Sequence, residues 1–323
     1  MSSKAFSFLA GILLCAGGVS FLGAQEPNSS VFFKTKDGPG LSRSHVIFLD
    51  EAGLAVVVTD SLVELNTGKF KGEAIKLVAH DPVSRLSLIR IPLKLGVKTK
   101  PVDLGVSLNL DQGSALYLGL EGDTSLSRFV SRESEYKEKP LPLELFRVHH
   151  QADLNPGLGH PLFDSAGRLV AINYRKAEEF GNGSFAYPVE AIERLQNATV
   201  VDGVVQRSWF GVELLASDPF AVVQAVRQSS PAAKAGIVKG DILIQIGPRS
   251  IQRYSDAIDA FFYLREGEDV PVKFLRNTEV MEATVTPELV PAAPPAPPVE
   301  EAPKSEPEPK PALKPATKPE PSA

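Results

Sequence analysis

Between residues 31 and about 200, short apolar runs recur with turn-forming clusters between them, and this rhythm limits the fold more than any other feature. The runs are Ser30–Phe33, His45–Leu49, Leu54–Val58, Leu86–Ile91, Ala115–Leu118 and Leu169–Ile172. Asp50-Glu51-Ala52-Gly53 and Asp164-Ser165-Ala166-Gly167 supply tight turns between paired runs. Strands this short bury their apolar atoms only by pairing with many others, so the spacing predicts an all-β barrel or sandwich.

The ends of the chain have a different composition. Met1-Ser2-Ser3-Lys4 leads into an apolar stretch from Ala5 to about Leu22 and then to small residues ending at Ala24, the layout of a secretory signal peptide over residues 1–24. That layout predicts export to a periplasm, to the cell envelope or to the medium. Leu22 is a mediocre cleavage residue and the apolar run is slightly long, so an uncleaved segment acting as a membrane anchor stands as the alternative. The only cysteine, Cys15, lies in this segment, which predicts a mature chain with neither disulfide nor thiol chemistry. A tail, taken as residues 288–323, is almost entirely Pro, Ala, Glu and Lys from Pro291 onward and is expected to be disordered. The net charge is -5 and no cluster of Lys and Arg interleaved with aromatics occurs, which excludes nucleic acid as an expected partner.

The histidines are His45, His80, His149, His150 and His160, and none sits in a zinc or nucleophile pattern. His149 and His150 are adjacent and would point to opposite faces of a strand, so they cannot share one ion. Neither metal nor cofactor is expected. His160 falls in the loop Asn155-Pro156-Gly157-Leu158-Gly159-His160-Pro161-Leu162, where it lines a pocket or is simply a partly exposed loop residue.

This loop resembles Asn-Pro-Gly-Asn-Ser-Gly-Gly-Pro-Leu, the nucleophile loop of the secreted Deg/HtrA proteases, shortened by one residue and without its serine. Three further segments match that family in order. Val46–Glu64 resembles the strand, turn and strand ending in Thr-Asn-Asn-His-Val-Val-Glu, which sets Ser61 at the position of the general base. Asp81-Pro82-Val83-Ser84-Arg85-Leu86-Ser87-Leu88 resembles Asp-Pro-x-x-Asp-Leu-Ala-Val, which sets Arg85 at the position of the orienting aspartate. Phe185-Ala186-Tyr187-Pro188-Val189 resembles the closing Phe-Ala-Ile-Pro-Ile strand. The resemblance implies a trypsin-like double β-barrel over residues 31–200, with its triad positions occupied by Ser61, Arg85 and either Leu158 or Gly159. Such a triad lacks both base and nucleophile, and a guanidinium in the third position would repel an imidazolium.

A second region, residues 205–287, resembles the PDZ domain (α+β) that follows the barrels in the same family. Trp209-Phe210-Gly211-Val212 looks like its carboxylate loop, Ser230–Ile237 like its short helix, and Lys239–Ile246 like its Gly-Asp-x-Ile-x-x-Ile turn and strand. Ser255–Leu264 reads as a helix capped by Ser255, and Val270–Leu275 as a strand. Domains of this kind add a peptide as an extra strand at a sheet edge. The resemblance assigns carboxylate capture to Phe210, Gly211 and Val212 and strand pairing to Glu213 and Leu214. On the helix, Ile258 and Phe262 would line the groove, or equally Ala257 and Phe261, the other pair being core.

The mainly β reading thus predicts an exported protease homologue without catalysis, binding peptide or protein C-termini or unfolded segments as adaptor, chaperone or scaffold, with self-association implied by the resemblance. The alternative is a working serine endopeptidase in protein quality control. A third expectation is an envelope protein whose tail is the working part.

Overall fold

The computed structural model describes residues 29–60, 62–94, 99–151, 154, 156–177, 179 and 181–290. The signal segment with Cys15, Ser61, Asn155 and the chain beyond Val290 lie outside the described residues.

The apolar runs become strands: Ser30–Lys34, Leu54–Val58, Leu86–Arg90, Ala115–Leu120 and Leu169–Ala177, while the run around Val46 is divided between Leu41–His45 and Ile47–Phe48. The first half forms two sheets. One runs in the order Leu41–His45, Ser30–Lys34, Lys69–Phe70, Glu73–Ala74; the other runs Val200–Val201, Val204–Val205, Lys76–His80, Leu86–Arg90, Leu54–Val58, Ile47–Phe48. Strand Leu54–Val58 shows why its sequence is apolar throughout. Ala55 and Val57 pack with Val31, Phe33 and Ile89, whereas Val56 and Val58 turn to a second core with Leu86, Phe163 and Ile172. A strand covered on both faces has no polar alternation to show.

The second half is a closed barrel in the order Asp123–Tyr136, Lys139–His150, Gly183–Pro188, Leu169–Ala177, Pro161–Phe163, Ala115–Leu120. Closure leaves no unpaired edge, and Leu116, Leu118, Phe129, Phe146, Val148 and Leu162 fill the interior. The two Asp-initiated turns are tied by their first residue: Asp164 Oδ1 accepts from the N–H groups of Ala166 and Arg168, both at 2.9 Å, and Asp50 Oδ1 from those of Ala52 at 2.9 Å and Leu54 at 2.7 Å.

Helix α1 (Glu190–Gln196) leads to the C-terminal region. There Val212–Leu214 pairs with Val223–Val226, helix α2 (Pro231–Lys234) follows, and helix α3 (Tyr254–Phe262) lies beside the sheet Arg249–Ser250, Ile242–Ile246, Val270–Arg276, Glu279–Val285. Ser230 caps α2, its Oγ accepting the Ala233 N–H at 3.1 Å. Two expectations are corrected. Ser255 does not cap α3; Asp256 does, by accepting the N–H groups of Gln252 at 3.0 Å and Arg253 at 2.9 Å, while Ser255 is buried inside the helix. The tail does not begin at residue 288, because Glu288–Leu289 pairs antiparallel with Ser208–Trp209.

Helix α3 also joins the two regions. Its Phe262 is fully buried and belongs to the same core as Leu86, Leu195 and Val205 of the barrel region. Asp259 accepts from the Glu144 N–H at 2.7 Å and pairs with Arg249 at 2.7 Å. Arg253 donates to Ser134 at 2.8 Å. Arg194, buried on α1, pairs with the buried Asp81 at 3.2 Å and donates from Nε to the Phe262 carbonyl. Desolvation raises the Asp259 carboxyl against the pull of Arg249.

Candidate functional site

The shortened glycine-containing loop lies against the strand Leu41–His45. Gly159 has φ +82°, and a Cβ at this position would stand 2.7 Å from the His45 carbonyl oxygen and 2.8 Å from Ser44 Oγ. Contacts that short exclude a side chain, and the left-handed backbone disfavours one independently. Leu158 packs at the edge of the main core, and its carbonyl accepts the His45 N–H at 2.9 Å. His160 is half-buried. Its ring centroid is 3.7 Å from that of His45, and its Nδ1 is 3.1 Å from the Gly157 carbonyl. Burial, with His160 and Arg43 alongside, brings His45 down to about 3, and burial lowers His160 as well.

Asn173, on the strand Leu169–Ala177, fixes the loop from beneath. Its Nδ2 donates to the carbonyls of Pro156 at 3.0 Å and Gly157 at 2.8 Å, its backbone N–H donates to the His160 carbonyl at 2.8 Å, and its own carbonyl accepts from Gly159 at 2.9 Å. The carbonyls of Pro156 and Gly157 therefore point into the protein. The Gly159 N–H, spent on the Asn173 carbonyl, is not available to an oxyanion hole, which needs amide hydrogens converging on the reacting oxygen.

Arg85 holds the turn after Asp81 with φ +57°, its N–H donating to the Asp81 carbonyl at 2.8 Å and its carbonyl accepting from the N–H of Thr59 at 2.9 Å. Its Nη1 donates to the Tyr174 hydroxyl at 2.8 Å. The structure thus brings Arg85 to the end of the strand Leu54–Val58, and Leu158 and Gly159 to the strand Leu41–His45.

Other hydroxyl–imidazole contacts exist among the described residues. Ser127 and Ser184 each lie 2.8 Å from a ring nitrogen of His150, and Ser87 lies 2.9 Å from His80 Nδ1. All three serines and His150 are buried, and burial lowers His150 to about 4. Among the described residues neither imidazole hydrogen-bonds a carboxylate, and no group of three His, Cys, Asp or Glu is arranged to hold a metal ion. Sequence reasoning separated His149 and His150 onto opposite faces, and the structure has His149 exposed and His150 buried.

The second site surrounds Gly211. Its φ is +89°, and a Cβ there would fall 2.1 Å from that of Ser230. Around it the Phe210 carbonyl accepts from Ala232 at 3.0 Å and the Gly211 carbonyl from Arg227 at 2.9 Å, which pins the loop to α2. Among the described residues, strand Val212–Leu214 pairs on one side only, with Val223–Val226. Glu213 is exposed and pairs with Arg227 at 3.0 Å.

Across from that strand, the helix faces are settled by packing. Ala257 and Ala260 belong to the domain's own core, and Phe261 packs at its edge, its ring 5.2 Å from that of Phe210. Phe262 is corrected: it is buried in the junction with the barrels and is closed to a peptide. Ile258 is half-buried. The aromatic nearest the carboxylate loop is therefore Phe261, three residues after Ile258. Neither of the two i, i+4 pairs taken from sequence separates core from groove, because α3 buries two faces.

The PDZ domain family model matches residues 208–286. A probable periplasmic serine endoprotease DegP-like of Pseudomonas putida is 28% identical over 269 residues, 77% of this chain and 53% of that protein. The serine protease Do-like HtrB of Bacillus subtilis is 25% identical over 284 residues, 75% of this chain and 62% of that protein. The chain thus spans about half the length of the curated relatives it matches. Among solved structures, HtrA-type protease AlgW with tripeptide superposes with TM-score 0.56 at 23% identity, covering 84% of this chain and 96% of that one. The same protease with decapeptide gives TM-score 0.53 at 20% identity, covering 85% and 100%. The barrels, the glycine-containing loop and the C-terminal domain make this chain similar over most of its length to HtrA/DegP-like, trypsin-like serine proteases, and residues 208–286 form a PDZ domain.

Proposed function

We propose that this chain is an exported, non-catalytic member of the HtrA/DegP-like group that binds peptide C-termini or unfolded segments in its PDZ groove and acts as adaptor, chaperone or scaffold. The barrel domain then serves as a platform. What supports this reading above all is Gly159: at one of the two candidate nucleophile positions no side chain fits, and the other is an aliphatic leucine. Ser61 and Arg85 supply neither imidazole nor carboxylate at the remaining two positions. Phe210, Gly211, Val212, Glu213 and Leu214 would receive the peptide, with Ile258 and Phe261 flanking it. The periplasm is the expected compartment, and self-association is expected as well.

The second reading, an active serine endopeptidase in protein quality control, is favoured by the names of the relatives. Incubation with unfolded casein separates the two: the first reading expects intact casein and a chain that binds a labelled peptide bearing a free C-terminal carboxylate. Casein fragments accumulating in proportion to enzyme would establish the second.

A further inference from the structure

A cationic and aromatic cluster on the barrel domain is left unused by the PDZ reading. In the ladder between Leu169–Ala177 and Gly183–Pro188, Asn173 faces Ala186 and Arg175 faces Phe185, with a register shift that leaves Tyr174 as the extra residue. A bulge of this kind re-aims its side chain out of the ladder, and the Tyr174 hydroxyl meets Arg85 Nη1 at 2.8 Å. Tyr187 packs against Tyr174 with centroids 4.8 Å apart and the rings tilted by 34°. The Arg175 guanidinium stands 4.8 Å from the ring centroid of Tyr136, 5.4 Å from that of Phe185 and 5.6 Å from that of Tyr174, an arrangement that holds it without using its N–H donors. Among the described residues neither Arg85 nor Arg175 forms an ion pair with a carboxylate. Among the described residues the acid at the rim is Glu179, which accepts the Tyr136 O–H at 2.7 Å and lies 4.0 Å from Lys137. Arg85 is half-buried and Arg175 exposed, so both forks can be reached. Arg85 also keeps a left-handed backbone, φ +57°, and such outliers gather where a side chain must be aimed.

We propose that Arg85, Tyr174 and Arg175 form a site for a carboxylate side chain of an extended acidic peptide, distinct from the PDZ groove. Planar forks match a carboxylate edge-on, and the tyrosine hydroxyl adds a further polar contact. Glu179 at the rim opposes a dianionic phosphate more strongly than a single carboxylate. The site goes beyond the PDZ reading and holds whether or not the chain cleaves bonds.

The test uses the full chain and two fluorescein-labelled decapeptides with amidated C-termini, one rich in Glu and one with Gln in every such place, so that the PDZ groove is not read. Anisotropy is expected to show the Glu peptide binding about tenfold more tightly, with Arg85→Gln and Arg175→Gln each removing most of that preference and Tyr174→Phe a smaller part. The affinity of a peptide with a free carboxylate for the PDZ groove is expected to be unchanged in all three variants. Arg175 is exposed, so its variant remains informative if Arg85→Gln melts early. Equal binding of the two peptides, or a preference that survives both arginine variants, overturns the proposal; binding of a phosphoserine peptide alone overturns the carboxylate assignment.

Discussion

Gly159 in the barrel loop and Gly211 in the PDZ loop have nearly the same backbone, φ +82° and +89°, and each is too crowded to accept a Cβ. They differ in what surrounds them. At Gly159 the close atoms are backbone and hydroxyl of the strand Leu41–His45, and the neighbouring carbonyls are drawn inward by Asn173. At Gly211 the close atom belongs to the cap of α2, and among the described residues the strand that follows keeps one edge unpaired. The same local conformation seals one loop and leaves the other beside an open edge. A glycine in a motif therefore says little until its neighbours are known, and chemistry depends on which way the adjacent peptide planes face.

The largest effect expected from breaking this comparison is at Gly211. Gly211→Ala adds a Cβ onto Ser230 in a left-handed position, costing about 2–5 kcal/mol from strain and overpacking together; denaturant melts should show that loss, and peptide affinity should fall with it. Phe262→Ala removes a fully buried ring at the junction and should cost about 3–5 kcal/mol, again by denaturant melts, whereas Phe261→Ala should weaken peptide binding with a smaller loss of stability. Should Phe262→Ala instead weaken peptide binding selectively at unchanged stability, the assignment of helix faces is wrong.

The next effect in size is on acidification. His45 and His150 are held neutral in the fold, at about 3 and about 4, while the unfolded chain binds their protons near 6.5. Their folded-state values lie below the unfolded one, so protons favour the unfolded chain and stability falls as pH drops below about 6.5. Each group contributes a slope of about 1.4 kcal/mol per pH unit until its folded value is reached. Melts at pH 6.5 and 5.5 should show this fall, and His150→Gln should make it shallower while the His45 contribution remains. A stability that is level across this range would mean that these imidazoles are charged in the fold.

The smallest effect sharpens the contrast at Asn173. Asn173→Asp withdraws two donors from the carbonyls of Pro156 and Gly157 and should release the loop, read as faster amide exchange at residues 157–160, while leaving PDZ peptide affinity unchanged.

Much of the fold was legible because apolar runs such as Leu54–Val58 have no competing period. The hairpin Asp123–Tyr136 with Lys139–His150 was not, since its strands carry Arg, Glu and Ser and its register slips between Phe129 and Ser131 and between Glu133 and Glu135, which destroys simple alternation. At the site, motif order assigned Arg85, Leu158 and Gly159 to triad positions, and the structure sets Arg85 at the end of the strand Leu54–Val58 and the other two against the strand Leu41–His45. The clash that seals Gly159, the contact of His45 with His160 and the role of Asn173 were not legible, because each depends on a distant strand. Phe261 and Phe262 are neighbours in sequence, and only the docking of α3 on the barrel hairpin decides which one meets the groove.

The most direct test of the central claim is intact-mass analysis of the full chain after exposure to a fluorophosphonate probe. The account predicts an unmodified mass at neutral pH; a single stoichiometric adduct on a serine would contradict it.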